Sequence, residues 1–372
     1  MRDREMWLDE GEKSLWRAAA RFTFAPVSGL FGAGTLLHRA LYARGALHPR
    51  ALPMRVVSAG SLVRGCEGAT LTAAWIANAL HRRGHRVALA ARGMGRARHG
   101  RDAVLVVSDG RYVKSRVELA GASAMILAAH SPGIPVLTGW DRFHVGVRAS
   151  SAFGAEVLVL EDGFQCHPLE RDVDVVAIDG QSGFGNRWLL PCGPLREPIR
   201  ALRSAHAVGV IDGPLHGKDA ADLGRFGSEG FPFAAHRRPV SVRPLRGGAG
   251  DSPEVLNGAA VGLISGLARP ASLRNTVEQL GAQVVTERNF RDHHRYGPRD
   301  VRYLYRNAPL WITTEKDAIR INPDWIGRAD VRVLSIKLEV EQEGPLLDRL
   351  EASLRQPDAE ADRAAAAKAS AG

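Results

Sequence analysis

The stretch Met54-Arg-Val-Val-Ser-Ala-Gly-Ser-Leu-Val-Arg-Gly-Cys-Glu-Gly-Ala-Thr70 decides the fold. Its apolar start predicts a strand, its glycines predict a loop, and residues 70–83 have the pattern of an amphipathic helix. This order is the geometry of a phosphate cradle, because glycines let backbone N–H groups approach an anion and a helix N-terminus adds partial positive charge. A structural glycine turn would fit the same residues. The predicted nucleotide-binding residues are Val63, Arg64, Gly65, Cys66, Glu67, Gly68, Ala69 and Thr70.

The loop lacks the lysine that is the charged residue of the P-loop pattern. A P-loop ends in Gly-Lys-Ser/Thr, whereas this loop ends in Gly68-Ala69-Thr70. A methyl group therefore stands in place of the lysine that reaches the β- and γ-phosphates. Glu67 adds a carboxylate where an anionic ligand would lie.

The chain around this loop alternates short apolar runs with helical stretches. Strands are predicted near 55–59, 86–90, 103–107, 135–138, 157–160, 173–178 and 207–211, with helices at 70–83 and 143–153. Such alternation indicates an α/β fold with a mostly parallel sheet and helices on both faces. The predicted parts are an apolar, basic arm (1–50), a P-loop kinase-like α/β domain (51–225), a second, smaller α/β domain (226–355) and a disordered tail (356–372).

A second segment, Val157-Leu-Val-Leu-Glu-Asp-Gly-Phe-Gln-Cys-His167, is an apolar strand that ends in two acids. A carboxylate at the C-terminal end of a parallel strand, beside a phosphate loop, is where nucleotide-dependent enzymes hold Mg²⁺. Thr70, Glu161 and Asp162 are therefore the predicted metal ligands. The two acids would equally fit a strand end that caps the following turn.

The amino-terminal arm is basic and apolar. No acid occurs between Glu12 and Glu67, and the apolar run 22–37 contains Pro26 and is shorter than the ~20 residues of a spanning helix. This composition predicts that the arm forms a helix lying in the interface at the cytoplasmic face of the membrane. A helical arm packed on the domain is the alternative.

The net charge indicates the kind of partner, and the cysteine content excludes two structural classes. The net charge of +10 over 372 residues suggests a polyanionic neighbour, which could be nucleic acid, an anionic membrane face or a phosphorylated substrate, and composition alone does not choose among them. Nucleic-acid recognition favours basic residues interleaved with exposed aromatic residues, and aromatic residues make up only 6% of this chain. The three cysteines are odd in number and far apart, so neither a disulfide framework nor a zinc ribbon is expected.

Further motifs extend the pattern along the chain. They are Ala91-Arg-Gly-Met-Gly95, Leu189-Leu-Pro-Cys-Gly-Pro-Leu-Arg-Glu-Pro198, Phe290-Arg-Asp-His-His-Arg-Tyr296 and Thr313-Thr-Glu-Lys-Asp-Ala318. In their order, with the two earlier segments, they closely resemble the tetraacyldisaccharide 4'-kinases, the lipid A 4'-kinases. The resemblance runs from about residue 16 to residue 354.

The resemblance implies a P-loop kinase that uses ATP and Mg²⁺ to phosphorylate the 4' hydroxyl of a lipid A disaccharide precursor. It implies a peripheral protein on the cytoplasmic face of the bacterial inner membrane, in contact with anionic lipid and not with nucleic acid. The implied catalytic residues are Asp162 and His293, and the implied substrate-binding residues are Arg92, Gln165 and Arg196.

The chain departs from this family at two catalytic positions. The family lysine is Ala69, and the family's Asp-Glu-Pro, whose aspartate is the expected base, aligns with residues 122–124, which places Ala122 at the base. Either Arg64 or Arg92 could swing toward the phosphates, although a planar guanidinium copies a P-loop lysine poorly. Three hypotheses follow: a degenerate 4'-kinase with lost or reduced transfer, an active 4'-kinase with relocated groups, and a non-catalytic nucleotide-sensing or scaffold protein of the lipid A pathway.

Overall fold

A computed structural model describes residues 15–66, 68–93, 103–267, 269–292 and 294–355, with side chains from Phe24 onward. Its strands are β1 (Arg55–Gly60), β2 (Val87–Arg92), β3 (Val104–Asp109), β4 (Pro135–Gly139), β5 (Val157–Glu161), β6 (Val173–Asp179), β7 (Ala207–Ile211), β8 (Phe231–Pro244), β9 (Ala260–Ser265), β10 (Gln283–Asn289), β11 (Leu310–Thr314) and β12 (Asp330–Val340). Its α-helices are α1 (Leu15–Ala43), α2 (Gly68–Arg82), α3 (Val117–Ala120), α4 (Ala122–His130), α5 (Arg142–Phe153), α6 (Gly217–Phe226), α7 (Pro270–Gln279), α8 (Pro298–Val301), α9 (Glu315–Ala318) and α10 (Glu343–Leu354).

The described residues form two compact units. The first contains the residues up to His236 and those from Leu338 on, and the second is Arg237–Lys337. The chain passes between the units inside β8 and again inside β12. These bounds differ from the ranges 51–225 and 226–355 because the chain returns through β12, so that α10 packs on the first unit through apolar residues such as Leu346 and Leu350.

The strands of the first unit lie in the order β8-β7-β6-β1-β5-β2-β4-β3. Neighbours are parallel except β3, which is antiparallel to β4. Both faces of β1 are buried, since Val57 packs with Ile76 of α2 while Val56 packs with Val145 of α5. Helices therefore cover both faces, and the carboxyl ends of β1, β2 and β5 meet at one edge, where ligands bind in open α/β sheets.

The second unit is a smaller α/β unit. Its strands lie in the order β10-β9-β11-β12, and all neighbours are parallel. Trp311 of β11 is fully buried, and its indole Nε1 donates to the carbonyl oxygen of Leu304 at 2.8 Å. The predicted fold class, a mostly parallel α/β sheet with a second smaller α/β part, is confirmed.

Sequence patterns missed β8 and α6. The stretch after Phe231 is rich in proline and arginine, which disfavours a strand, but β8 pairs with β7 only from Phe231 to Ala235, and Pro239 lies beyond that pairing. The glycine-rich stretch 213–230, whose composition is typical of a linker, contains α6, and Asp219 and Asp222 of this helix form ion pairs with Arg187. The tail predicted at 356–372 lies outside the described residues.

Candidate active site

Two positions at the end of β1 and in the loop between β1 and α2 require glycine. Gly65 has a φ of +79°, and a Cβ on Gly60 would lie 2.6 Å from Cβ of Phe164. Part of the loop is bonded within the protein: the amide of Val63 donates to Oγ of Ser61 at 3.2 Å, and that of Arg64 donates to the carbonyl of Pro194 at 2.9 Å. These two amides are engaged by the chain itself, and farther along the loop the amide of Ala69 donates to the carbonyl oxygen of Cys66 at 3.4 Å.

The start of α2 is closed to solvent at the position of the missing lysine. Ala69 is 3% exposed, and a Cβ on Gly68 would lie 2.5 Å from Cδ1 of Ile211. Thr70 reaches the strand-end acids, because its Oγ1 donates to Oε1 of Glu161 at 2.8 Å. Glu67 lies outside the described residues.

Glu161 is a buried carboxyl at the end of β5. Burial, together with the negative charge of Asp162, raises the pKa of Glu161, whereas the charge of Arg142 and hydrogen bonds from Thr70 and Ser123 oppose that rise. Ser123 follows Ala122, so its hydrogen bond also brings the start of α4 to Glu161. The structure therefore brings Ser123, the residue after the predicted base position, to the same carboxyl as the predicted metal ligand Thr70.

Asp162, Gln165 and Arg196 also meet. Arg196 forms an ion pair with Asp162, and its Nη1 lies 3.4 Å from Oε1 of Gln165. Nε2 of Gln165 donates to the carbonyl of Ser61 at 3.2 Å, which connects this group to the loop between β1 and α2. Asp162 has a φ of +54°, a conformation that is costly for residues with a Cβ and that asparagine and aspartate tolerate best.

Arg142 is the site residue that sequence reasoning missed. It begins α5, it is 7% exposed, and its Nη2 donates to the carbonyl oxygen of Glu161 at 2.8 Å. Its Nη1 is buried without a hydrogen-bond partner among the described residues. Burial lowers the pKa of Arg142, and the charges of Cys166, Glu161 and Asp162 raise it. The only sequence signal is its place just after β4, which ends at the same sheet edge as β5.

The side chains of Arg92 and Arg64 are exposed, unlike that of Arg142. Arg92, the last residue of β2, is exposed, and its guanidinium lies 6.0 Å from the ring centroid of Trp140. Arg64 is likewise exposed in the loop.

In the second unit, His293 lies outside the described residues. Its neighbour Asp292 accepts a bond of 3.0 Å from Nζ of Lys316. Nε2 of His294 lies 3.0 Å from Oδ2 of Asp300. The sequence motifs around residues 290–296 and 313–318 thus lie together in the second unit.

The donor set of the first unit suits Mg²⁺ in part. A hydroxyl, Thr70 Oγ1, and a buried carboxylate, Glu161, lie in hydrogen-bond contact, and both are oxygen ligands of the kind that Mg²⁺ prefers. Within the described ranges, no cluster of three or more His, Cys, Asp or Glu side chains could hold a metal ion by itself. Mg²⁺ commonly takes several of its ligands from water and from substrate phosphates.

Helix α1 is fixed to the first unit by polar contacts. Oγ of Ser28 donates to the carbonyl of Leu189 at 2.8 Å, and Nη1 of Arg39 donates to Glu197 at 2.8 Å. Glu197 is buried and lies 3.1 Å from Nε2 of His167. Burial acts to raise the pKa of Glu197, but its contacts with His167 and Arg39 outweigh burial and lower it. Large apolar side chains of α1 remain exposed: Phe24, Val27, Leu30 and Leu37.

No described helix combines the length and the apolar character needed to cross a bilayer.

Comparison with known proteins gives one consistent family. The model of the family LpxK, tetraacyldisaccharide-1-P 4'-kinase, matches residues 20–355. Among relatives, the tetraacyldisaccharide 4'-kinase of Anaeromyxobacter sp. (strain Fw109-5) is 39% identical, over 89% of this chain and 91% of its own length. The enzyme of that name from Syntrophus aciditrophicus (strain SB) is 34% identical, over 87% and 90%.

A solved structure is similar to this chain as well. The crystal structure described as the "apo" form of LpxK from Aquifex aeolicus in complex with ATP has a TM-score of 0.72 and 25% identity to this chain, and the match covers 90% of this chain and 99% of that one. With a family match along most of its length, the chain belongs to the tetraacyldisaccharide 4'-kinase family.

Proposed function

We propose that this chain is a lipid A 4'-kinase family member in which ATP-dependent phosphorylation of the 4' hydroxyl is lost or strongly reduced. The observation that carries the proposal is the buried methyl group of Ala69 at the first turn of α2, where the P-loop pattern has its lysine. A lysine there neutralises charge on the transferring phosphoryl group. Loss of such an electrostatic clamp costs roughly 10²–10³ in rate.

The second loss is at the position expected for the general base. Ala122, in the place expected for the base, begins α4, and its neighbour Ser123 contacts Glu161. An alanine side chain cannot accept the proton of the attacking hydroxyl. Loss of a general base costs about 10²–10⁴ in rate.

Groups for ligand binding are retained. The later part of the loop and the N-terminus of α2 would hold the phosphates of ATP, and Thr70, Glu161 and Asp162 would hold Mg²⁺. When bound, Mg²⁺ neutralises phosphate charge and orients the phosphates. Arg92, Gln165 and Arg196 would contact the lipid A disaccharide precursor. For His293, which lies outside the described residues, the catalytic role rests on the family resemblance alone.

The exposed apolar side chains of α1 support peripheral attachment to the membrane that holds this substrate. Leu30 is 74% exposed and Leu37 is 61% exposed, whereas Arg39 and Ser28 fix the same helix to the first unit. We propose that this apolar surface enters the cytoplasmic leaflet of the inner membrane, with anionic lipid as the electrostatic partner.

One observation favours a second candidate, an active 4'-kinase with a relocated cation. The guanidinium of Arg142 is buried beside Glu161 and Asp162 and has a free Nη1 among the described residues. A ligand phosphate would give that nitrogen an acceptor. Under this candidate, Arg142 replaces the charge that Ala69 lacks.

An assay of 4'-phosphorylation of the tetraacyldisaccharide by the purified full chain separates the two candidates. The degenerate enzyme is expected to show no turnover above an Asp162→Ala variant. Turnover that Arg142→Gln removes would support the relocated cation and overturn the main proposal.

A further inference from the structure

The second unit presents an exposed surface in which tyrosines and arginines alternate. It lies on α8 and the 3₁₀ turn Leu304–Arg306, and its sequence is Arg299-Asp-Val-Arg-Tyr-Leu-Tyr-Arg306. Val301 and Leu304 are fully buried and hold the segment on its unit. The side chains between them face outward: Arg302, Tyr303, Tyr305 and Arg306 are all exposed. We call these four residues the Tyr–Arg surface.

The arginines of this surface are ordered by its tyrosines. The guanidinium carbon of Arg306 lies 4.7 Å from the ring centroid of Tyr303 and 5.8 Å from that of Tyr305. The guanidinium of Arg302 lies 5.6 Å from the ring of Tyr303. Stacking on an aromatic ring fixes a guanidinium without neutralising it, so its N–H donors stay available to an anion.

The surface carries unbalanced positive charge. Within the part of the chain that the structure describes, Arg299, Arg302 and Arg306 have no carboxylate within ion-pair distance. The nearby acid Asp300 is engaged by Nε2 of His294 at 3.0 Å and by the amide of Gly297 at 2.8 Å.

The neighbouring turn after Ile326 adds to this charge. A Cβ on Gly327 would lie 3.6 Å from the carbonyl oxygen of Arg302, and the adjacent Arg328 is exposed. Arg246 also reaches this turn, since its Nη2 donates to the carbonyl of Gly327. Asp324 of the preceding 3₁₀ turn is exposed and offsets one of these charges.

We propose that the Tyr–Arg surface docks the second unit on the headgroups of an anionic phospholipid membrane. Tyrosine is favoured at the headgroup level, and each arginine near an anionic leaflet adds electrostatic attraction. Single-stranded nucleic acid would need open ring faces on which bases stack. Here Tyr303 is contacted by two guanidiniums of its own chain, which favours phosphate headgroups over bases.

The test is sedimentation of the full chain with vesicles of phosphatidylcholine alone and of equimolar phosphatidylcholine and phosphatidylglycerol. The double variant R302A/R306A should bind anionic vesicles on the order of tenfold more weakly than the unaltered chain. Its binding to phosphatidylcholine vesicles should be unchanged, because attachment through α1 does not depend on these arginines. Tyr303→Phe should bind normally and Tyr303→Ser weakly, since the ring orders the arginines.

A matched control is R111A/R148A, which removes two exposed arginines from the first unit. It should keep normal binding to anionic vesicles. Equal binding by R302A/R306A and this control, with both variants folded by circular dichroism, would overturn the proposal. So would a loss by R302A/R306A of affinity for a single-stranded oligonucleotide without a loss of vesicle binding. Failure of the α1 proposal would show instead as undiminished vesicle binding by the variant L30S/L37S, which alters only α1.

Discussion

Thr70 Oγ1 donates a hydrogen bond of 2.8 Å to Oε1 of Glu161, which joins the first turn of α2 to the end of β5. The same carboxyl receives a hydrogen bond from Ser123 at the start of α4. Three segments that are far apart in sequence therefore meet at one buried acid. Whatever this site retains of its family's chemistry depends on how that acid is charged.

The first prediction concerns the pH dependence of stability through Glu161. Because burial raises the pKa of Glu161, the folded chain holds this proton more strongly than the unfolded chain does. The resulting stabilisation is complete below the ordinary glutamate pKa and is lost as pH rises toward the folded value. Glu161→Gln lacks this dependence, so its stability relative to the unaltered chain should increase as pH rises from acidic to neutral.

Urea unfolding of Glu161→Gln at a series of pH values, without metal or nucleotide, measures this difference. Glu118→Gln is the matched control, because Glu118 is exposed on α3. A difference between Glu161→Gln and the unaltered chain that stays constant with pH would contradict the prediction.

The second prediction concerns the backbone at Asp162. Its φ of +54° is a left-handed conformation in which an alanine Cβ is unfavourable and glycine is not. Asp162→Ala and Asp162→Gly both remove the ion pair with Arg196. Asp162→Ala should therefore be less stable than Asp162→Gly by about 1 kcal/mol.

Chemical unfolding of the two Asp162 variants side by side gives this difference directly. Arg196→Met serves as the control, because it removes the ion pair and leaves the backbone at Asp162 unchanged. Equal stability of the alanine and glycine variants would mean that the left-handed conformation is not maintained.

Sequence patterns were sufficient for the regular part of this fold. Strands β1, β5 and β7 are apolar runs bounded by glycine or polar residues, and buried parallel strands have that signature. β8 was missed because local propensity disfavours a strand with Pro232 and Pro239, whereas pairing with β7 stabilises it.

The sequence predicted residues of the candidate site only where they belong to a motif. Thr70, Glu161 and Asp162 follow strand ends or glycines, so their position at one sheet edge can be deduced. Arg142 has no motif, and its burial beside Glu161 depends on the packing of α5 on the sheet. The contact of Ser123 with Glu161 likewise comes from long-range packing of α4, which no local pattern encodes.

The third prediction concerns the apolar surface of α1. Leu30 and Leu37 contribute exposed apolar area, and transfer of that area to a bilayer is favourable by about 25 cal/mol per Å². The variant L30S/L37S should therefore bind vesicles on the order of tenfold more weakly, at both low and high salt. Its free energy of unfolding should change little, because neither side chain is buried in the fold.

The control for α1 is L119S/V147S, which removes two exposed apolar side chains from α3 and α5. Vesicle flotation at matched protein concentration compares the two double variants. Similar binding by both would assign membrane attachment to a surface other than α1.

The last prediction concerns repair of the catalytic site. In phosphoryl transfer a lysine neutralises charge on the transferring group and a carboxylate accepts the hydroxyl proton, so each is of limited use without the other. Ala69→Lys alone should restore little activity. The double variant A69K/A122D should gain 4'-kinase turnover, on the order of 10²–10⁴ above the unaltered chain, because it restores both the charge and the base that the family pattern has at these positions.

The matched control is A69M/A122N, which adds side chains of similar size without charge and should remain inactive. His293→Ala in the repaired chain should remove the gain, because the family resemblance gives this histidine a catalytic role. Turnover is measured as transfer of radiolabelled phosphate from ATP to the tetraacyldisaccharide. Strong activity in the unaltered chain that survives Asp162→Ala would mean that the reaction takes place at residues other than these, since a site that had merely decayed would not produce it.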